Sequence, residues 1–518
     1  MSDSKLVYTP LDDIEKIYNE LKTTFASGKS KPIRYRRYQL LQLAYMLKDN
    51  TKLFEDALAA DLGRPELEAR MLDIDPSLGE IKSTLSSFEK WTKQEKAPFS
   101  INFTAMRPVI RKEPKGVVLI ISPFNYPLFL TLPLMASAIA AGNAVVLKPA
   151  ENTPATSALL ASLAEKYLDT SLIRVINGGV DETTKLLEYT WGHILYTGGG
   201  RVGKIIAVAG AKTLSPVSLE LGGKSPVFID PKCDLKMTAK RLLWGKLANA
   251  GQTCVAPDYI IVPQDFQDKL VKALQDECEE FYPNKASAPG QMSRLVSTPA
   301  FTRINNLIKN TKGTIVFGGD TDEATKYIGP TIVKDVMPGD CLMSEEIFGP
   351  VLPIMPVSSI EEGLAYVNAH DHPLSVYAFS QDSAFKAKIF DNTQSGSAMA
   401  NETIIHPAAY GLPFGGIGPS GSGYHSGKYG FDMFTHLRSS MDSPGWLDML
   451  LSFRYPPYTP AKLKAMGRFT GSSLPPRPTG PPSDPQVSNT GKLFWTKWFS
   501  FLLALGLAGG VMKRQYKL

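Results

Sequence analysis

A glutamate and a cysteine, each close to glycines, are the two residues of this sequence with the clearest capacity for chemistry. Glu220 begins the run Glu-Leu-Gly-Gly-Lys, and Cys254 ends the run Asn-Ala-Gly-Gln-Thr-Cys, 34 residues later. A thiol is a nucleophile and a carboxylate is a base, while the glycines let a ligand approach the backbone closely. The pair therefore indicates covalent acyl chemistry.

A glycine-rich turn precedes Glu220. The run Thr197-Gly-Gly-Gly-Arg-Val-Gly203 matches the G-x-G-x-x-G pattern of dinucleotide-binding loops, with Gly198 and Gly203 as its outer glycines. Under an ordinary fingerprint reading, Glu220 would be the ribose-binding acid that follows about twenty residues later. The two glycines after Glu220 argue against that reading, because an acid that serves only the ribose does not need them. A turn without any ligand is the remaining alternative.

The elements that must position these motifs are α/β units. Residues 11–95 have apolar side chains at helical spacing and are predicted to form covering helices. From residue 117, strands at 117–122, 144–147, 172–176 and 193–197 alternate with helices such as 128–141 and 155–167, which predicts a parallel sheet. A second alternation runs from 226–229 to 374–379. Two such lobes would leave a crevice between them, where ligands usually bind.

Length and composition are those of a globular enzyme with more than one domain. The 518 residues are 43% hydrophobic and 20% charged, which excludes a disordered chain and a polytopic membrane protein. The four cysteines include no C-x-x-C pair, so we expect a reducing compartment. The histidines cluster only at His370 and His372, which we interpret as a loop pair, and no metal is predicted. The N-terminus lacks the apolar core of a signal peptide, so catalysis should face the cytosol.

The basic character of the chain belongs to its C-terminal tail. From Arg454 onward there are ten lysines and arginines against one acid, whereas residues 1–453 carry a formal charge of −3. A basic tail on a nearly neutral body argues against a nucleic acid as partner and in favour of an anionic membrane surface.

Seven motifs in order make the chain similar to the aldehyde dehydrogenase superfamily over roughly residues 10–450. They are Pro123-Phe-Asn-Tyr-Pro127, Lys148-Pro-Ala-Glu151, the glycine turn at 197–203, Glu220-Leu-Gly-Gly-Lys224, Gly251-Gln-Thr-Cys254, Glu346-Ile-Phe-Gly-Pro350 and Leu412-Pro-Phe-Gly-Gly416. The resemblance implies an α/β fold of the aldehyde dehydrogenase type, in which a Rossmann-like NAD-binding domain and an α/β catalytic domain accompany a small bridging sheet used for oligomerisation.

Within this resemblance, three residues match the catalytic positions of the family. Cys254 matches the nucleophile, which attacks the aldehyde carbon to give a thiohemiacetal and then a thioester. The side-chain amide of Asn125, with the backbone N–H of Cys254, matches the oxyanion hole. Glu220 matches the base that activates water to hydrolyse the thioester. That role also weakens a rival in which the thioester passes to coenzyme A.

Four further residues match cofactor-binding positions of the family. Lys148 and Glu151 match residues that hold the adenosine ribose, and Glu151 should repel a 2′-phosphate, which favours NAD while leaving NADP possible. Glu346 and Phe348 match residues that grip the nicotinamide riboside.

The chain looks most like the class 3 and fatty aldehyde dehydrogenase branch. The short N-terminus before Asn125, the run at 420–428 with its Tyr424-His425 pair, and Tyr455-Pro-Pro457 carry this resemblance. Many members have Tyr-His-Gly-Lys, whereas here Ser426 is inserted before Gly427. The insertion leaves any substrate contact by Tyr424 or His425 open.

The apolar tail predicts a membrane anchor. Residues 493–512 would span about 30 Å as a helix, which matches a bilayer core, and Trp495 and Trp498 suit its interface. The uninterrupted apolar part begins only at Phe499, so a helix lying on the surface or packed on a partner subunit is the alternative. A modest apolar segment with a basic end favours the mitochondrial outer membrane, with endoplasmic reticulum or lipid droplet as rivals.

The predicted organisation has five parts. They are an NAD-binding domain at 1–221 interrupted by a bridging strand at about 97–111, a catalytic domain at 222–424, a return and bridging strand at 425–453, a proline-rich basic linker at 454–492, and an anchor at 493–518. Family resemblance implies a homodimer. The predicted activity is NAD(P)-dependent oxidation of medium- and long-chain aliphatic aldehydes. The alternatives are a semialdehyde dehydrogenase of amino-acid metabolism and a catalytically silent membrane scaffold.

Overall fold

The computed structural model describes residues 6–469 and 474–477, which form two compact units. The larger unit comprises the chain up to Phe99 and Arg107–Asp442, and it contains every residue predicted above to take part in catalysis or cofactor binding. The smaller unit combines Ser100–Met106 with the described residues from Ser443 onward, including the helices Leu447–Leu451 and Pro460–Phe469.

The N-terminal region is a set of amphipathic helices, as predicted. Its helices are Leu11–Ala26, Ile33–Asp49, Thr51–Leu62, Glu66–Ala69 and Asp75–Trp91, with one π-helical turn at Arg70–Ile74. The apolar face of the second helix, which includes Leu40, Leu43 and Leu47, is fully buried against the first sheet's core. Gly63 ends the third helix with φ of 60°, a left-handed conformation that glycine adopts without strain.

The first sheet has six strands and is parallel except at one edge. Its spatial order is Gly421–Ser422, Val217–Glu220, His193–Thr197, Val117–Ile121, Ala144–Lys148 and Ile173–Val175. Only Gly421–Ser422 runs antiparallel to its neighbour. The three central strands are wholly buried, as expected where helices cover both faces of a sheet. The helices are Leu132–Ala141, Pro154–Tyr167, Val180–Leu186 and Gly200–Thr213.

One helix of this region is shorter than the sequence predicts. The helix expected at 128–141 begins at Leu132, and residues 127–131 form turns instead. The physical reason is Asp73, whose Oδ1 accepts hydrogen bonds from the backbone N–H groups of Leu128 and Phe129. A carboxylate from another helix thus fixes the turn that follows Asn125.

The second sheet has seven strands. Its order is Thr314–Phe317, Thr331–Lys334, Val351–Val357, Tyr259–Pro263, Pro226–Ile229, Ser375–Phe379 and Ser397–Ala400, and only Thr314–Phe317 is antiparallel to its neighbour. Its helices are Leu235–Leu247, Gln267–Phe281, Thr298–Asn310, Cys341–Ser344, Ile360–Asn368 and Ser383–Asp391. A separate apolar core lies around this sheet.

Two small antiparallel sheets complete the larger unit. One joins Glu95–Lys96, Val109–Pro114 and Thr435–Ser440, and the helix Gly427–Met433 leads into its last strand. The other pairs Thr321–Asp322 with Tyr327–Ile328. Across residues 6–469 and 474–477, no helix has the length and apolar character needed to cross a membrane. The anchor predicted at 493–512 lies outside these ranges.

Candidate active site

One cavity of about 670 Å³ brings together almost all of the residues singled out from the sequence. It lies where the carboxyl ends of four strands in the first sheet face the loops that enter three strands of the second. The predicted site residues on its wall are Asn125, Lys148, Glu151, Gly198, Glu220, Cys254, Glu346 and Phe348. Asn125 and Phe348, which are 223 positions apart in the sequence, therefore share one site.

Gly203 is the one predicted cofactor-binding residue that does not line the cavity. It is buried in the first turn of helix Gly200–Thr213, where a Cβ atom would come within 2.9 Å of Leu221. Its small size lets this helix pack closely on the strand that ends at Glu220. We therefore assign Gly203 a packing contact, whereas Gly198 belongs to the cavity wall.

Cys254 is presented by a strained loop. After helix Leu235–Leu247 the chain turns sharply, because Asn249 and Ala250 both adopt the left-handed conformation, with φ of 54° and 53°. Gly251 follows with φ of 75°, and a Cβ atom there would collide with the carbonyl oxygen of Gly349. Non-glycine residues in this conformation are uncommon and are concentrated at functional sites.

Asn125 is tied to the cysteine loop by its side chain and by its backbone. Its amide donates to the carbonyl oxygen of Gln252 at 3.0 Å, and its own carbonyl oxygen accepts from the Asn249 amide at 2.7 Å. An asparagine amide carries two hydrogens, so one remains for a ligand in the cavity. These bonds fix Asn125 relative to the loop that carries Cys254.

A buried charge network supports this pair from behind. Arg64 donates to the Asn125 carbonyl oxygen at 2.5 Å and to Asp73 at 2.8 Å, and its Nε lies 3.8 Å from Glu68. Glu68 in turn accepts from the backbone N–H of Asn249 at 2.9 Å. Burial raises the pKa of Asp73 to about 6, although Arg64 opposes the shift. The motif that first drew attention to Asn125 does not contain any of these charged residues.

Glu220 lies at the end of its strand with a carboxylate that is available for a ligand. The side chain is only 2% exposed, and neither carboxylate oxygen has a hydrogen-bond partner in the described part of the chain. Burial raises the pKa of this carboxyl group well above its usual value. The backbone carbonyl of Glu220 accepts from the N–H of Gly198 at 2.9 Å, which connects the base candidate directly to the glycine turn.

The thiol of Cys254 is protonated at neutral pH in this arrangement. Burial, followed by the negative charges of Glu346 and Glu220, raises the pKa of Cys254 to about 12. Neutralising the carboxylates of Glu346 and Glu220 therefore lowers the pKa of Cys254 and favours the nucleophilic thiolate.

The far end of the cavity has the groups that a dinucleotide requires. Lys148 donates to Glu151 at 2.6 Å, and both lie on the wall beside Asn152. Gly199 and Gly200 have open space where a Cβ atom would be, so a ligand can approach the backbone of this turn. The volume, the open turn and the Lys148–Glu151 pair fit a nicotinamide dinucleotide.

Glu346 and Phe348 also line the cavity, and the charge of Glu346 acts on Cys254. The Glu346 carboxyl group packs against the Cα of Gly222, where no larger residue would fit, and burial is the main cause that raises its pKa to about 8. Phe348 has φ of 51° and meets Phe124 edge to face at 5.9 Å. Behind them, Asp258 accepts from Lys224 at 2.5 Å and from the backbone N–H of Ile347 at 3.1 Å.

Several wall residues had no signal in the sequence. Gly179, Val180, Thr183, Leu187 and Tyr196 line the cavity from helix Val180–Leu186 and from a buried strand. Their residue types are ordinary for a helix terminus or a core. Only the fold places them together.

An apolar cluster lies next to Cys254. Ala248, Val255, Leu374, Ile404 and Phe414 form a small buried core of their own, and Leu72, Trp244 and Cys254 pack against it. None of these side chains is charged. The thiol therefore faces a nucleotide-sized cavity and also contacts an apolar wall.

The inserted Ser426 lies in an unusual conformation. Its φ is 78°, and the next residue, Gly427, donates its N–H to Glu80 at 3.0 Å. His425 is buried edge to face against Phe414, with ring centroids 5.1 Å apart, and burial lowers its pKa to about 4, whereas Tyr424 is exposed. His425 thus contacts the apolar cluster beside Cys254 through Phe414.

Comparisons with known proteins show which family and which solved structures this chain is similar to. A model of the aldehyde dehydrogenase family matches residues 7–440. Aldehyde dehydrogenase family 3 member A2 of Rattus norvegicus is 42% identical over 450 residues, covering 87% of this chain and 93% of the relative. Aldehyde dehydrogenase family 3 member B1 of Homo sapiens is 40% identical over 457 residues, covering 88% of this chain and 97% of the relative.

Solved structures share the fold. The substrate-bound state of Staphylococcus aureus AldH superposes with a TM-score of 0.85 at 37% identity, covering 88% of this chain and 99% of that one. An aldehyde dehydrogenase of Mycobacterium tuberculosis complexed with NAD⁺ gives a TM-score of 0.76 at 28% identity, covering 84% of this chain and 91% of that one. The fold predicted from the sequence motifs is therefore confirmed.

Proposed function

This chain belongs to the aldehyde dehydrogenase family and is an NAD(P)-dependent oxidoreductase, and we propose that it oxidises medium- and long-chain aliphatic aldehydes through Cys254, Asn125 and Glu220. The observation that carries this proposal is one cavity that holds a thiol, an amide and the Glu220 carboxyl group at one end and the Lys148–Glu151 pair at the other. Among the described residues, the Glu220 carboxyl group has no hydrogen-bond partner.

The first step is addition of the Cys254 sulfur to the aldehyde carbonyl carbon, after the thiol has released its proton to solvent water. The oxygen becomes an oxyanion, which the free hydrogen of the Asn125 amide and the backbone N–H of Cys254 stabilise. Lys148, Glu151, Glu346 and Phe348 would hold the dinucleotide, which when bound supplies the hydride acceptor. Loss of hydride from the tetrahedral carbon restores the carbonyl group as a thioester on Cys254.

The second step is hydrolysis of that thioester. Glu220 takes a proton from water, the water oxygen attacks the thioester carbon, and the carbon–sulfur bond breaks to release the carboxylic acid and the Cys254 thiolate. Glu220 must be ionised for this role, whereas burial favours its protonated form. Water that enters with the substrate solvates the carboxylate and so lowers its pKa toward the range of a useful base.

The substrate class is supported by the apolar cluster beside the thiol. A chain of methylene groups gains about 0.8 kcal/mol for each one removed from water, and the buried cluster against which Cys254 packs is entirely apolar. A charged semialdehyde would need a cationic partner there, and the cluster contains none. An aliphatic aldehyde is therefore favoured over the semialdehyde alternative.

The C-terminal tail supports delivery of such substrates. We propose that residues 493–512 anchor the enzyme in a membrane with its catalytic part in the cytosol, at the mitochondrial outer membrane in preference to the endoplasmic reticulum or a lipid droplet. Long-chain aldehydes partition into bilayers, so an anchored enzyme meets its substrate at a high local concentration.

We also propose that the protein is a homodimer. The sheet of Glu95–Lys96, Val109–Pro114 and Thr435–Ser440 is small and antiparallel, and Thr435–Ser440 is one of its edge strands. An exposed edge strand offers unpaired backbone groups to a second chain. Light scattering that finds only monomer would contradict this assignment.

The substrate proposal is tested by kcat/KM with NAD for saturated aldehydes from propanal to octadecanal, beside succinic semialdehyde as a charged comparison. Detergent-solubilised protein with and without residues 491–518 should be compared. We expect kcat/KM to rise with chain length. A flat profile, or a preference for the semialdehyde, would overturn the substrate class while leaving the dehydrogenase chemistry in place.

A further inference from the structure

Arg201 is a cation on the cofactor side of the cavity, and it has no hydrogen-bond or ion-pair partner among the residues that the structure describes. It lies in the first turn of helix Gly200–Thr213, its side chain is exposed, and it lines the cavity together with Gly198 and Gly199. Within residues 6–469 the guanidinium group makes no ion pair and no hydrogen bond. Lys148, the other cation on this wall, is by contrast paired with Glu151 at 2.6 Å.

The turn that carries Arg201 is close to the residues expected to hold the adenosine ribose. Tyr196 joins the two regions, since its hydroxyl group donates to the carbonyl oxygen of Gly199 at 3.3 Å. Burial and, to a smaller extent, the negative charge of Glu151 raise the pKa of Tyr196 to about 12, so this carboxylate is within electrostatic reach of the same ring. Glu151, Tyr196 and Arg201 thus line one end of the cavity.

We propose that Arg201 binds the 2′-phosphate of NADP and so determines how tightly this enzyme binds NADP relative to NAD. The inference rests on the proposed function, because it requires a dinucleotide in this cavity. Glu151 taken alone would repel a 2′-phosphate, but Lys148 neutralises it, so a second cation makes the net charge of this end positive.

The chemistry of the side chain suits a phosphate monoester. A guanidinium group presents two parallel N–H donors to a pair of phosphate oxygens, and such charge-assisted pairs are stronger than neutral hydrogen bonds. The exposed position lets the phosphate remain partly hydrated, so little desolvation opposes binding. The pyrophosphate, which both cofactors share, has the open backbone of Gly199 and Gly200 to approach and does not require this arginine.

The proposal is tested by equilibrium binding, with no turnover involved. The dissociation constants of NADPH and NADH are measured by nucleotide fluorescence for the wild type, R201A, R201K and K204A, and those of 2′,5′-ADP and 5′-ADP by calorimetry. Lys204 is the matched control, since it is an exposed cation on the same helix and does not line the cavity. Retained NADH binding in R201A shows that the variant is folded.

We expect R201A to raise the dissociation constants of NADPH and 2′,5′-ADP by about 10- to 100-fold, because one charge-assisted pair is lost. The dissociation constant of NADH should change by no more than about threefold. R201K should fall between the wild type and R201A, and K204A should match the wild type. Equal losses of affinity for NADH and NADPH would overturn the proposal, because Arg201 would then contact the part that the two cofactors share. Unchanged affinity for both cofactors would also overturn it. A wild-type protein that binds neither nucleotide would instead contradict the proposed function itself.

Discussion

The carboxyl groups around Cys254 control its reactivity in the absence of cofactor. Burial raises the pKa of the thiol first, and the charges of Glu346 and Glu220 raise it further, to about 12. A raised thiol pKa means that the fraction of thiolate is small at neutral pH and grows as the pH rises. Glu346 has a pKa of about 8, so its charge acts on the thiol only above that pH.

We therefore predict that E346Q accelerates alkylation of Cys254 by iodoacetamide above pH 8 by about 3- to 10-fold and has little effect at pH 6. The rate is followed by mass spectrometry of the peptide that contains Cys254, between pH 6 and pH 10. E345Q is the matched control, because Glu345 is the neighbouring exposed carboxylate and pairs with Arg303 at 3.0 Å. Identical profiles for E346Q and the wild type would show that Glu346 does not influence the thiol.

Residue types and local motifs predicted the reacting groups but not the groups that hold them. Cys254, Glu220 and Asn125 were recognisable because each lies in a short motif next to glycine or proline. Arg64, in the turn between two helices, and Glu68, in helix Glu66–Ala69, act on the same site from about 60 and 180 residues away in the chain, as their contacts to Asn125 and Asn249 show. A pattern within a short window does not report such contacts, since they depend on how the elements pack.

At the scale of elements, helix Gly427–Met433 depends on a buried carboxyl group from another helix. Glu80 of helix Asp75–Trp91 accepts the N–H of Gly427, the residue after the inserted Ser426. Burial raises the pKa of Glu80 to about 7, despite that hydrogen bond. In the unfolded chain the same group has its ordinary pKa near 4.5.

The sign of the resulting pH dependence follows from these two values. The folded state binds the Glu80 proton more tightly, so the stabilisation is complete below about pH 4.5 and is lost as the pH rises to about 7. We predict that E80Q, which keeps an acceptor for Gly427, gains stability relative to the wild type by up to about 3 kcal/mol between pH 5 and pH 8. Denaturant unfolding at both pH values measures the difference.

E89Q provides the matched control on the same helix. Glu89 is exposed and pairs with Arg37 at 2.7 Å, so its removal should change stability by less than about 0.5 kcal/mol at either pH. If E80Q and E89Q showed the same pH dependence, Glu80 would not be the titrating group.

The elements themselves were predicted best where the sequence pattern was strongest. The buried strands Val117–Ile121 and His193–Thr197 and the helix Pro154–Tyr167 lie where apolar runs and helical periodicity predicted them. The start of helix Leu132–Ala141 was wrong by four residues, because Asp73 binds the backbone that local propensity would have made helical. Tertiary contacts override propensity at such positions.

At the scale of the whole molecule, the proposed anchor separates this enzyme from a soluble one with the same catalytic unit. We predict that the full-length protein stays with membranes after carbonate extraction, and that a chain ending at residue 490 is released. Two charged substitutions in the apolar run, Leu503→Glu and Leu507→Glu, should also release it, since each charge at the bilayer centre costs about 3 kcal/mol.

The control substitution is Leu474→Glu, which adds the same charge in the proline-rich linker and should leave membrane association unchanged. Release of the intact wild type by carbonate would contradict a spanning anchor. Retention of both truncated and full-length chains would place the membrane contact elsewhere in the molecule.

The central claim is that Cys254 forms a thioester which Glu220 removes. The most direct measurement is mass spectrometry of E220Q after one turnover with octanal and NAD, with NADH counted in the same sample. We predict one NADH per active site and an octanoyl group on the peptide that contains Cys254, because the deacylation step lacks its base. NADH formed without acylation of Cys254, or an acyl group on another residue, would contradict this account of the active site.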